Sequence, residues 1–104
     1  MKTITLVEGH GHGPVVDLEL PENQAITAVS ADCRAYGVEA TFVIQATDYD
    51  HVNVWETVSS LLLPPYGEGT VRAEVNAEKQ ELVRWAVFSL GGTHYVNFKT
   101  EENE

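Results

Sequence analysis

The chain has 104 residues, enough for one core and no second one. A composition of 43% hydrophobic and 21% charged residues is globular rather than disordered. With 16 acidic and 6 basic residues the net charge is −10, and the Lys and Arg residues are scattered, so no nucleic-acid partner is expected.

No run approaches the roughly 18 apolar residues of a membrane helix. The N-terminal MKTITLV alternates and lacks the apolar core of a signal peptide. The expectation is a soluble chain made in the cytoplasm, with no membrane partner.

Strands are predicted at 3–7, 15–20 and 25–33. Between the first two lies Gly9-His10-Gly11-His12-Gly13-Pro14. His10 and His12 fall on one side of an extended chain, so they could chelate a metal. Zinc sites need three or four ligands held by supporting groups. The other histidines, His51 and His94, are remote in sequence, and the glycines make the pair costly to order. A flexible connection is expected there, with no metal and no cofactor. Cys33 is the one cysteine, so no intrachain disulfide can form, and a buried, inert thiol is expected.

Residues 38–46 alternate: Val38, Ala40, Phe42, Ile44 and Ala46 against Glu39, Thr41 and Gln45. The acidic turn at 48–50 fails a calcium-loop test. Counting from Asp48, position 5 is Val52, position 6 is Asn53 and position 12 is Ser59. A strand is predicted at 52–59, with Trp55 facing the core. Leu61, Leu62, Leu63, Pro64, Pro65 and Tyr66 read as an apolar loop. Residues 70–75 alternate with Val71, Ala73 and Val75 inward, and 76–80 suit a short helical turn.

Residues 81–90 are apolar on both faces, with Val83, Trp85 and Val87 on one and Leu82, Ala86, Phe88 and Leu90 on the other. A strand of this kind is covered twice, by its own domain and by a neighbouring subunit. Gly91-Gly92 predicts a hairpin to a strand at 93–99, which turns His94, Val96 and Phe98 to one side. Residues 100–104 are expected to be a frayed acidic tail beyond a domain of residues 1–99. The sum is an all-β single domain, a jelly-roll-like β-sandwich of about eight antiparallel strands.

The order of motifs resembles small virion proteins of tailed bacteriophages. The stretches that carry it are Val16-Asp17-Leu18 after the glycine loop, Val43-Ile44-Gln45-Ala46-Thr47-Asp48 leading to Trp55, and Gly69-Thr70-Val71. The last is Leu82-Val83-Arg84-Trp85-Ala86-Val87-Phe88-Ser89-Leu90-Gly91-Gly92-Thr93 running on to Val96-Asn97-Phe98. It departs from the pattern before the tryptophan, where Asp48-Tyr49-Asp50-His51-Val52-Asn53 replaces an Asp-Gly turn. The resemblance implies a structural component of a phage head. That is a capsid decoration, cement or fibre component on the capsid surface, with the major capsid protein as partner and a homotrimer as its assembly. It implies no catalytic residues.

The residues themselves carry no nucleophile elbow, His-Glu-x-x-His, Cys-x-x-Cys or phosphate loop, so an enzyme is not expected. The expected contact residues are Leu61, Leu62, Leu63, Pro64, Pro65 and Tyr66, with Val83, Trp85 and Val87. Two alternatives stand beside the capsid reading. One is a carbohydrate-binding or host-adhesion module that uses Trp55, Tyr49 or Tyr66 as stacking platforms. The other is a small tail or neck component.

Overall fold

Period-two patterning produces strands throughout. The computed structural model describes residues 2–9, 11–18, 26–76 and 79–102. In chain order the strands are β1 (Lys2–Gly9), β2 (Val16–Asp17), β3 (Ile26–Arg34), β4 (Ala40–Thr47), β5 (Glu56–Leu63), β6 (Glu68–Glu74), β7 (Leu82–Ser89) and β8 (Tyr95–Glu102). They form two four-stranded antiparallel sheets: sheet A in the order β1-β8-β3-β6, and sheet B in the order β2-β7-β4-β5. This is the expected β-sandwich, and its strand order is that of a jelly roll.

Of the seven connections between consecutive strands, only β4–β5 joins neighbours in one sheet; the other six cross from sheet to sheet. The inward faces meet in one apolar layer that includes Leu18, Val29, Phe42, Ile44, Val83 and Phe98. Each is essentially removed from water, which stabilises by about 1.5–3 kcal/mol per large side chain. The inward sets expected at 38–46, 70–75 and 93–99 all face this layer: Phe42 and Ile44, Val71 and Ala73, Val96 and Phe98.

Several expectations need correction. Gly91-Gly92 does not close a hairpin, because β7 lies in sheet B and β8 in sheet A. It is a corner between sheets, and buried His94 fills it. Tyr36 N–H donates to His94 Nδ1 at 3.0 Å, which leaves the ring proton on Nε2, 2.9 Å from both Ser89 Oγ and Gly91 O. The strand expected at 52–59 starts later, and Leu61, Leu62 and Leu63 complete β5 instead of forming a loop. Residues 49–51 form a 3-10 turn capped by the Asp48 side chain. The tail is not frayed at 100–102: β8 runs to Glu102 and Thr100 is buried, while residues 103–104 lie outside the described set. Of the strand expected at 15–20, Val16–Asp17 forms and Leu18 is buried; 19–20 lie outside the described residues. Of the turn expected at 76–80, the Lys79 and Gln80 N–H groups bond to Asn76 O, and 77–78 lie outside the described residues.

The glycine-rich stretch is not loose where it can be described. His10 lies outside the described residues, but residues 11–15 lead into β2, and Gly13 N–H donates to Trp85 O on β7 at 2.8 Å. A Cβ on Gly13 would stand 2.2 Å from Trp85 Nε1, so this position takes glycine because the backbone rests directly on the indole. His12 is exposed, His94 is buried in its corner, and no group of three His, Cys, Asp or Glu residues able to hold a metal occurs among the described residues.

Gly13→Ala is therefore expected to destabilise the fold by about 1–3 kcal/mol through overpacking against the indole, read as a lowered urea midpoint. An unchanged midpoint would show that the strap on Trp85 is dispensable.

Candidate functional site

The corners at one end of the sandwich are the 35–39, 64–67 and 90–94 connections, together with the chain leaving β1. Two surfaces flank this end, one on the outer face of each sheet.

On sheet B the cross-strand pairs Thr41↔Leu62 and Thr41↔Phe88 set Leu62, Thr41 and Phe88 in one row across the outer face. Leu62 is 62% exposed and Phe88 52% exposed, and Leu90 just beyond is fully open. They line a shallow groove of about 430 Å³ with Glu39, Thr41 and Ser89. Further along, this face is covered by the chain itself. The Arg84 guanidinium lies 4.1 Å from the centre of the Trp55 ring and donates to Gln45 Oε1 at 3.0 Å. Such a cation–π contact is worth about 1 kcal/mol. Trp55 thus sits over the outer face, not in the core as the sequence suggested. Its Nε1–H donates to Val52 O at 3.0 Å.

The nine expected contact residues divide. Val83 and Trp85 are enclosed by the chain's own core and present nothing to a partner. Leu63 is buried with them, and Leu61 and Val87 pack against the core half-covered. Leu62, Pro64, Pro65 and Tyr66 are exposed. The apolar outer face that replaces the buried ones is Leu62, Phe88 and Leu90. Phe88 and Leu90 were legible as the second face of the 81–90 run.

Tyr66 has a φ of 60°, in the left-handed region, and Gly67 N–H donates to Pro64 O at 2.9 Å, so Pro64–Gly67 is a tight turn. A tyrosine there costs on the order of 1 kcal/mol in backbone strain. It stands 73% exposed at the end shared with Leu62. The three stacking platforms considered from sequence do not come together. Tyr49 and Trp55 lie on the β4–β5 connection, at the end away from Tyr66. Tyr49 is committed to Asp17 through its hydroxyl and to Glu81 through its N–H.

On sheet A the outer face is a polar grid. One row is Tyr95, Arg34 and Glu68; the next is Asn97, Asp32 and Thr70. Arg34 Nε donates to Glu68 Oε2 at 3.0 Å, and a second guanidinium nitrogen reaches the same oxygen. Lys99 Nζ lies 2.5 Å from one Asp32 oxygen, and Thr70 Oγ1 donates to the other at 2.7 Å. The bond from Lys99, then that from Thr70, hold the Asp32 carboxyl below the usual carboxylate range. Tyr95 OH donates to Glu8 Oε1 at 3.0 Å, which raises the phenol's pKa and keeps it protonated.

Asp32, Arg34, Tyr36, Glu68, Thr70 and Tyr95 border a groove of about 530 Å³. Sequence reasoning missed it, since Tyr36 and Tyr95 meet only through the β3–β8 pairing Arg34↔Tyr95. Cys33 turns the other way into the core, where burial pushes its thiol up to about 12, in keeping with the inert thiol expected.

No family model matches the chain, and no curated protein matches it significantly. Among solved structures the chain is similar to the crystal structure of PirA, at 12% identity and a TM-score of 0.49, over 97% of this chain and 93% of that one.

Asp32→Asn is expected to lower stability at pH 7 by no more than about 1 kcal/mol, because the Lys99 pair is partly solvated. With a depressed folded-state pKa, the contribution is present above the unfolded value of about 3.9 and fades as pH falls through the lower folded one. Melting curves of variant and parent should thus converge in strong acid; a constant gap at every pH would refute the assignment. Cys33 should resist a disulfide reagent at pH 8 in the folded protein and react fully in denaturant. Fast labelling of the native state would contradict its burial.

Proposed function

We propose that this chain is a non-enzymatic phage virion protein, a decoration or cement component that docks on the outer surface of an assembled head. The motif order described above supports the family. The observation that carries a docking role is the uncovered row Leu62, Thr41 and Phe88 with Leu90 beside it, since a contiguous exposed apolar patch marks a contact surface. Strained, exposed Tyr66 extends the same end, and backbone strain concentrates where function requires it.

The partner in this reading is the major capsid protein. A protein that binds only the assembled lattice stabilises that lattice by mass action. A homotrimer, as the resemblance implies, would join several weak contacts into one tight attachment. Flat apolar contact suits this task, because the lattice supplies geometry and the patch supplies area. The chain would be made in the host cytoplasm and reside on the capsid surface.

The test is co-sedimentation with purified empty heads of the source phage, alongside native mass spectrometry for the oligomer. The double variant Leu62→Glu, Phe88→Glu changes exposed positions only. It is expected to bind heads at least about tenfold more weakly at an unchanged melting temperature, a loss above roughly 1.4 kcal/mol. Failure of the parent protein to bind heads would end the decoration reading; binding to isolated tails alone would move the protein to the tail or neck.

A further inference from the structure

The groove on the outer face of sheet A lies opposite the proposed capsid contact and is not used by it. Its floor is the row Tyr95, Arg34 and Glu68 with Asp32 and Thr70 beside it, and Tyr36 forms its rim. A second depression, of about 360 Å³, shares Tyr36 and Tyr95 and continues past them to Glu8 and Thr93. The two tyrosines therefore line both of two neighbouring hollows, each of a size that small-molecule sites use.

Three properties define what would fit. Tyr36 and Tyr95 are 39% and 37% exposed, enough to offer apolar area while their hydroxyls remain polar. The hydrogen-bonding groups are fixed in advance by one another: Glu68 by Arg34, and Asp32 by Lys99 and Thr70. Each carboxylate already has a cationic partner, Glu68 in Arg34 and Asp32 in Lys99, so the floor offers no unpaired charge to an ion. Capacity remains, because both Arg34 nitrogens bond Oε2 of Glu68 and its Oε1 has no hydrogen-bond donor among the described residues.

The Tyr36 backbone is also held in place. Its N–H is bound to buried His94, and its carbonyl oxygen packs so closely on Gly92 that a Cβ there would lie 2.7 Å away. A preorganised platform loses little entropy on binding.

We propose that this groove binds a neutral saccharide, with Tyr36 and Tyr95 as the ring platforms and Arg34, Glu68, Asp32 and Thr70 as the groups that read its hydroxyls. A sugar ring presents an apolar C–H face and a hydrogen-bonding rim, the two things this surface offers side by side. An apolar peptide would bury the paired charges without replacing their water. A phosphorylated or sulfated ligand would meet a chain of net charge −10 with Glu8 at the rim.

The experiment is a glycan array of neutral and anionic oligosaccharides, followed by NMR titration of ¹⁵N-labelled protein with the neutral sugars that respond. The expected result is a neutral sugar bound with Kd below about 1 mM, a free energy near −4 kcal/mol. Amide shifts should cluster at Arg34, Tyr36, Thr70 and Tyr95. Tyr36→Ala and Tyr95→Ala should each weaken binding at least tenfold. Should Tyr95→Ala perturb the fold, the shift map and Tyr36→Ala, on a corner outside the strands, still decide.

The proposal is overturned by any of three results: no neutral sugar bound at about 10 mM, selective capture of anionic glycans, or shifts that map to another face. The variant Leu62→Glu, Phe88→Glu should bind sugar normally, which separates this site from the capsid contact.

Discussion

Among the described residues no strand ladder joins the two sheets, so a single layer of side chains holds them together. Everything else follows from that layer. Six connections must bridge the gap it sets, and each becomes a corner instead of a hairpin. Corners leave holes at the rim of the core, and two large polar-tipped rings fill them. Trp85 closes the edge where β1 crosses to β2, with Gly9 and Gly13 against its indole. His94 closes the β7–β8 corner, its ring set edge-on to Phe42 at 6.1 Å.

The same layer explains why two different surfaces flank one end. The described inward side chains are committed to the core, so function is left to the outward set and the corners. On sheet B that set is apolar near the corner and covered by Trp55 and Arg84 further along. On sheet A it is a charge-paired grid bordered by tyrosines. Because the two lie on opposite faces, a partner on one leaves the other open. The proposed capsid contact and the proposed sugar groove are thus compatible in one molecule.

Local alternation was legible wherever one face alone is buried. Val71 and Ala73, and Val96 and Phe98, show it plainly, because a period of two leaves no second choice of face. Leu61-Leu62-Leu63 hid its strand because a continuous apolar run has no period, and the prolines that follow suggested a loop. The structure resolves it: Leu63 is buried, Leu61 half-covered and Leu62 outward. Gly91-Gly92 misled for another reason. Turn chemistry states that the chain reverses, not which sheet receives it. The Tyr36–Tyr95 groove was invisible for the same cause, since partners 59 positions apart are chosen by pairing across the sheet and not by local pattern.

Sheet A has a consequence for how this chain comes to exist. Its last strand, β8, lies between β1 and β3, which never touch each other in the ladder. Until β8 arrives, the first strand has no neighbour and the third has only β6. A nascent chain on the ribosome can thus close sheet B, apart from its last residues, while sheet A waits in two unjoined parts. Folding of this kind is governed by distant contacts, and domains of such topology fold in milliseconds to seconds instead of microseconds. The interval exposes an apolar half-core, which a chain with net charge −10 can survive in solution because its copies repel one another.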